Sequence, residues 1–142
     1  MFKFFKKKNN KNENISHLIL KTAALLIHTA KIDENYSSLE KKIIRDTILI
    51  LDPEINDVEK LIVDAENQEK NSNQILDFTK EIKNADEAFK IKIIESLWKI
   101  IYSNKEADMY ESNLMRRLSG LLYLDNKLVG GIKEKVKKNL IK

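Results

Sequence analysis

Cysteine is absent from this chain, so it has neither a disulfide framework nor a thiolate metal site. Three glycines and one proline among 142 residues are too few turn-formers for the many short strands of a sandwich or barrel. No apolar run approaches the ~20 residues that span a bilayer. The longest that matters, Thr22 to Ala30, has nine residues and lies between Lys21 and Lys31. The basic opening MFKFFKKK leads into the polar stretch Asn9 to Asn14 instead of an apolar signal core, which predicts a cytoplasmic protein. Glycine-rich phosphate loops, G-x-S-x-G, H-E-x-x-H and a cysteine nucleophile are all missing, and no enzymatic activity is expected.

What the chain does contain points to helices. It is 42% hydrophobic and 34% charged, a length and composition that fit one domain with a real core. From Ile15 onward apolar residues recur at steps of three and four, which predicts about seven helices and an all-α bundle spanning residues 15–142. The first, from about Ser16 to Lys31, is apolar nearly all round, as a central helix must be. Ser37 with Glu40 opens the second as a capping box, and this helix runs to about Ile50. Asp52-Pro53-Glu54 reads as the start of a third that reaches about Glu66. A fourth begins near Asn71 or Ser72, Asn84 with Glu87 launches a long fifth, and Asp108 with Glu111 a sixth. The last helix is expected beyond Gly130-Gly131, with Ile132, Val136 and Leu140 on one stripe.

Charge is distributed unevenly. The net value is +4, but residues 1–12 hold five lysines and no acid, and residues 127–142 six lysines and one Glu. The body between them carries 15 basic against 21 acidic residues. A nucleic-acid reader concentrates positive charge on its folded surface, so no nucleic-acid partner is expected. Residues 1–14 read as a flexible basic tail. The sharper alternative is a short amphipathic anchor, with Phe2, Phe4 and Phe5 in lipid and Lys3, Lys6, Lys7 and Lys8 on anionic head groups.

A repeat links two stretches at a constant offset of 71 residues. Asp33 then faces Asn104, Ser37 faces Asp108, Glu40 faces Glu111 and Arg45 faces Arg116. Leu26 matches Leu97, Ala30 matches Ile101 and Ile43 matches Leu114 in the flanking helices. The unit is a helix, an acidic loop and a second helix.

AKIDENYSSLE (30–40) and LWKIIYSNKEADMYESNLMRRLSGLL (97–122) carry a resemblance. They resemble the paired signatures of the TerB-like family, which takes in tellurite-resistance TerB and the N-terminal domain of the co-chaperone DjlA. The family pattern is an Ala-Asp-Gly loop followed by a helix-starting acid, twice, with Leu-Trp ahead of the second loop. The resemblance covers about residues 16–125 and implies a compact α domain, a stress-response role and calcium binding through the acidic loops. Glu34 stands where the family has Gly, and Asn104 and Lys105 replace Asp and Gly in the second loop. Ligand roles therefore carry over to Asp33 and Glu40, and more weakly to Glu111. No J-domain segment adjoins the domain, so a complete co-chaperone is not expected.

Two readings of the loops stand side by side. Calcium wants six to eight oxygens, and an EF-hand spreads them over twelve residues with Gly at the sixth. Here Glu40 is the eighth residue from Asp33, and Ser38 is the sixth, so the loop is no EF-hand. A shallow site from Asp33, Asn35, Ser37 and Glu40 is chemically feasible, with a weaker counterpart at Asn104, Asp108 and Glu111. Alternatively, Ser37/Glu40 and Asp108/Glu111 do no more than cap helices. His17 and His28 lie eleven apart without a third ligand, and Trp98 belongs to the apolar stripe of the fifth helix. The expected partner is a protein, and a homodimer through the apolar face of the last helix is a further option.

Overall fold

The structure, a computed structural model, describes residues 17–32, 36–72, 74–103 and 109–141. Seven helices make up the architecture among these residues: α1 (residues 17–30), then α2 (Ser38–Leu51), α3 (Val58–Lys70), α4 (Leu76–Ile82), α5 (Glu87–Tyr102), α6 (Met109–Leu121) and α7 (Asn126–Ile141). The all-α expectation holds.

Helix α1 is the axis of the core. Ile19, Thr22, Ala23, Ala24, Leu25, Leu26, Ile27 and Ala30 are all fully shielded, so this helix buries every face along its middle. Its hydroxyls tolerate the apolar setting because they bond within the helix: Thr22 Oγ1 donates to Leu18 O at 2.8 Å and Thr29 Oγ1 to Leu25 O at 3.1 Å. Helix α5 is the second hub and packs against both α7 and α2. Its buried Ser96 receives a hydrogen bond from Thr47 Oγ1 of α2 at 2.8 Å, a polar lock between two otherwise apolar surfaces. Trp98 is a core residue as expected, stacked on Tyr102 at 5.9 Å with Lys133 Nζ 5.4 Å from its ring.

The repeat is visible in burial. Leu26 and Leu97 are both fully buried, as are Ala30 and Ile101, while Ile43 and Leu114 both pack partly buried against the core. Matched positions of α1–α2 and α5–α6 are thus buried to matching degrees.

Several boundaries differ from the sequence reading. Helix α3 runs on past Glu66 to Lys70, with Asn71 as its C-cap, so α4 starts at Leu76 and not near Asn71 or Ser72. Helix α3 starts five residues later than Asp52-Pro53-Glu54 suggests, at Val58 instead of Pro53, because Asp52 is spent closing α2, its N–H donating to Ile48 O at 2.9 Å. Asp57 caps α3 instead, accepting from Lys60 N at 3.1 Å. Helix α5 is capped by Asp86, which accepts from Phe89 N at 2.9 Å, and not by Asn84. Helix α7 runs straight through Gly130 and Gly131. It starts early because Asp125 accepts from Lys127 N at 2.9 Å, and because Val129 and Val136 are buried on its inner side. That burial outweighs the ~1 kcal/mol each glycine costs a helix. Of the stripe read from the sequence, Val136 is buried and Ile132 packs partly buried against the core, while the Leu140 side chain lies outside the described residues.

Helix α6 ends in a Schellman turn, with Leu124 N donating to Ser119 O at 2.8 Å and Tyr123 N to Gly120 O at 3.2 Å. The left-handed position, usually glycine, is Tyr123 at φ 58°, whose exposed ring lies about equally close to Lys83 and Lys90.

Leu97→Ala, at the centre of α5, is predicted to cost about 2–5 kcal/mol in urea unfolding, whereas Leu39→Ala on the outer face of α2 changes stability by less than about 0.5 kcal/mol. Equal losses at the two positions would contradict this assignment of the core.

Candidate functional site

The first loop closes where the end of α1, the start of α2 and the second half of α3 meet. Ser37 has an extended backbone and serves as the N-cap of α2. Its Oγ accepts from Glu40 N at 3.2 Å, and Glu40 Oε1 accepts from Ser37 N at 2.8 Å. This is the reciprocal capping box read from the sequence. What the sequence does not reveal is that Glu40 is only 1% exposed. A carboxylate taken out of water must be satisfied by nearby donors, and the free N–H groups of a helix start, with their positive end of the helix dipole, are suited to that.

Tyr36 lies beside it. Its hydroxyl is shut off from solvent and closes no hydrogen bond of regular geometry, although Glu66 is positioned to accept one. Burial first, then the Glu66 carboxylate, with smaller effects of Glu40 and Glu69, pushes the phenol well above its ordinary range. Two acids of α3 therefore join the loop, and sequence reading passed them over. Glu69 is held by Lys31 Nζ at 3.5 Å and His28 Nδ1 at 3.8 Å. Lys41 Nζ sits 4.8 Å from the centre of the Tyr36 ring, with Lys31 Nζ at 6.0 Å. The junction is thus a set of acids, Glu40, Glu66 and Glu69, around a neutral phenol, ringed by two lysines and a histidine.

Asp33 and Asn35 lie outside the described residues, as do Asn104 and Asp108 of the second loop, the side chain of Glu111, and Phe2, Phe4, Phe5, Lys6, Lys7 and Lys8. Among the described residues no group of three or more His, Cys, Asp or Glu side chains is arranged to hold a metal ion. A cation at loop one would therefore need Asp33 or Asn35 in addition to Ser37 and Glu40. The two histidines take separate partners: His17 Nε2 pairs with Glu81 at 2.8 Å, and His28 lies against Glu69 and Phe78. Among the described residues no helix is long and apolar enough to cross a membrane.

Next to the capping box, α2 and α3 enclose an open cleft of about 400 Å³, lined by Lys41, Lys42, Arg45, Glu59, Val63 and Glu66 among others. Its charge is mixed, not acidic. Arg45 bridges it to Glu59 at 3.1 Å.

Fold and loop together define a small all-α domain of repeated helix–loop–helix units, the first closed by a buried carboxylate. The family described as tellurite resistance protein TerB matches residues 19–133, most of the chain, and the chain belongs to that family. A search of curated proteins returns no match. Neither does a search of solved structures.

The raised phenol makes a pH prediction. Above about pH 10 an unfolded chain loses the Tyr36 proton while the folded chain keeps it. The folded state then binds more protons, so this group's contribution is intact below pH 10 and stability falls as pH rises beyond it. Tyr36→Phe should flatten the fall in urea midpoints between about pH 9.5 and 11. An identical slope in the variant would contradict the assignment.

Proposed function

We propose that this TerB-family protein is a non-enzymatic interaction module of the stress-response kind, cytoplasmic, whose partner-binding surface is tuned by calcium at loop one. The observation that carries the reading is the buried Glu40 at the meeting point of α1, α2 and α3, in a chain matched by the family over residues 19–133. Asp33, Asn35, Ser37 and Glu40 would supply oxygens, with backbone carbonyls and water completing the shell. A cation there would draw the end of α1 toward the start of α2 and fix the angle between them. The cleft between α2 and α3 begins at the same turn, lined by Ser38, so a protein partner lodged in it would sense the change.

A second reading places the protein on anionic membrane through Phe2, Phe4, Phe5, Lys6, Lys7 and Lys8. It requires the full chain to sediment with acidic vesicles and a form starting at Asn14 to stay in the supernatant. If both forms stay in the supernatant, the anchor is ruled out.

Cap and cation roles of Glu40 separate in one variant. Glutamine at the same position still accepts from Ser37 N, so Glu40→Gln keeps the capping box while removing the charge. Calcium at ten times its dissociation constant is predicted to stabilise the native protein by about 1.4 kcal/mol, and neither Glu40→Gln nor Asp33→Asn should show this gain. Calcium stabilisation that persists in both variants would sink the reading.

A further inference from the structure

Where the α6–α7 turn meets α4 and α5, two lysines gather around one aromatic ring with no acid to balance them. Lys90 of α5 is only 8% exposed, yet it makes no ion pair among the described residues. Its Nζ lies 5.9 Å from the centre of the Tyr123 ring. Lys83, the C-cap of α4, brings its Nζ to 6.0 Å from the same centre and makes no ion pair among the described residues either. A lysine this buried ordinarily takes a carboxylate partner, because a charge withdrawn from water has to be compensated. The face of a tyrosine supplies only part of that compensation, and here two ammonium groups share one ring.

The acids nearest along the chain are engaged elsewhere. Asp86 Oδ1 accepts from Phe89 N at 2.9 Å as the cap of α5, and Asp125 Oδ1 accepts from Lys127 N at 2.9 Å. Glu81 pairs with His17, and the exposed Glu87 bridges to neither lysine. Tyr123 itself is 70% exposed and sits at φ 58°, a left-handed position where a side chain carries strain that glycine would avoid. Strain of this kind gathers at ligand clamps. Two uncompensated ammonium groups match a dianion, whereas a carboxylate would leave one of them unmatched. We infer that Lys83, Lys90 and Tyr123 form a site for a phosphate monoester, the lysines meeting its double negative charge and the phenol O–H adding a donor. The site shares no residue with loop one.

The probes are methyl phosphate, a dianion at about pH 7.5, and dimethyl phosphate, a monoanion at the same pH. Each is titrated into the full chain to about 50 mM, at ionic strength matched with sodium chloride, while backbone amide and Tyr123 ring signals are followed. Methyl phosphate should give saturable shifts at Lys83, Lys90 and Tyr123 and bind at least about fivefold more tightly than the diester. Lys90→Met, which keeps an unbranched buried stem, should abolish the saturation. Lys83→Met should do the same, and because Lys83 is half-buried at the end of α4 this variant retains the fold and gives the result on its own. Lys42→Met on α2 should leave binding unchanged. Vesicles of phosphatidylcholine and phosphatidate separate the sources of the group. Sedimentation that Lys90→Met weakens assigns the site to a lipid head group, and sedimentation indifferent to the variant, beside saturable methyl phosphate binding, assigns it to a free ligand. No saturable shift, equal binding of the two esters, or saturation retained in both lysine variants overturns the proposal.

Discussion

Helix α1 has no face along its middle that water can satisfy, and that constraint organises the rest of the molecule. A helix buried on every side has to be surrounded, and the remaining helices form its shell. Polar atoms on such a helix must be satisfied within it, which Thr22 and Thr29 achieve through the carbonyls one turn back. The chain leaves α1 directly from the core, and the first place it can turn is the short stretch between Lys31 and Ser37. The loop is therefore held between the end of a rigid axis and the start of α2.

Glu40 makes that turn unusual. Capping boxes elsewhere on protein surfaces contribute modestly, about 1 kcal/mol, and tolerate many substitutions. Here the capping acid is buried, the neighbouring phenol is kept neutral by burial, and two further acids arrive from α3. Lys31 and His28 lie against Glu69, and Lys41 against the Tyr36 ring.

Local signals in the sequence were legible where they were also the strongest ones available. The Ser37/Glu40 box, the all-round apolarity of α1 and the core stripe of α5 with Trp98 are each decided by side chains within one or two turns. The errors arose where two local signals competed. Asp52 can end one helix or begin the next, and only the packing of α2 decides that it ends one. Gly130-Gly131 reads as a stop, yet the buried Val129 and Val136 on either side carry α7 through it. Glu66 and Glu69 were missed because nothing in α3 alone shows that they face Tyr36, some thirty residues earlier. Their spacing of three was the available clue, since it places both on one side of the helix.

On the reading proposed for it, loop one is a cation-responsive joint and not merely a helix start. Calcium titrated into the folded protein, with magnesium as control and backbone amide shifts as the readout, tests it most directly. Saturable shifts with calcium at Lys31 to Glu40, extending across the junction to Glu66 and Glu69 and absent with magnesium, are the predicted result. A titration into the millimolar range that moves none of these amides, or moves them equally with both ions, would contradict it.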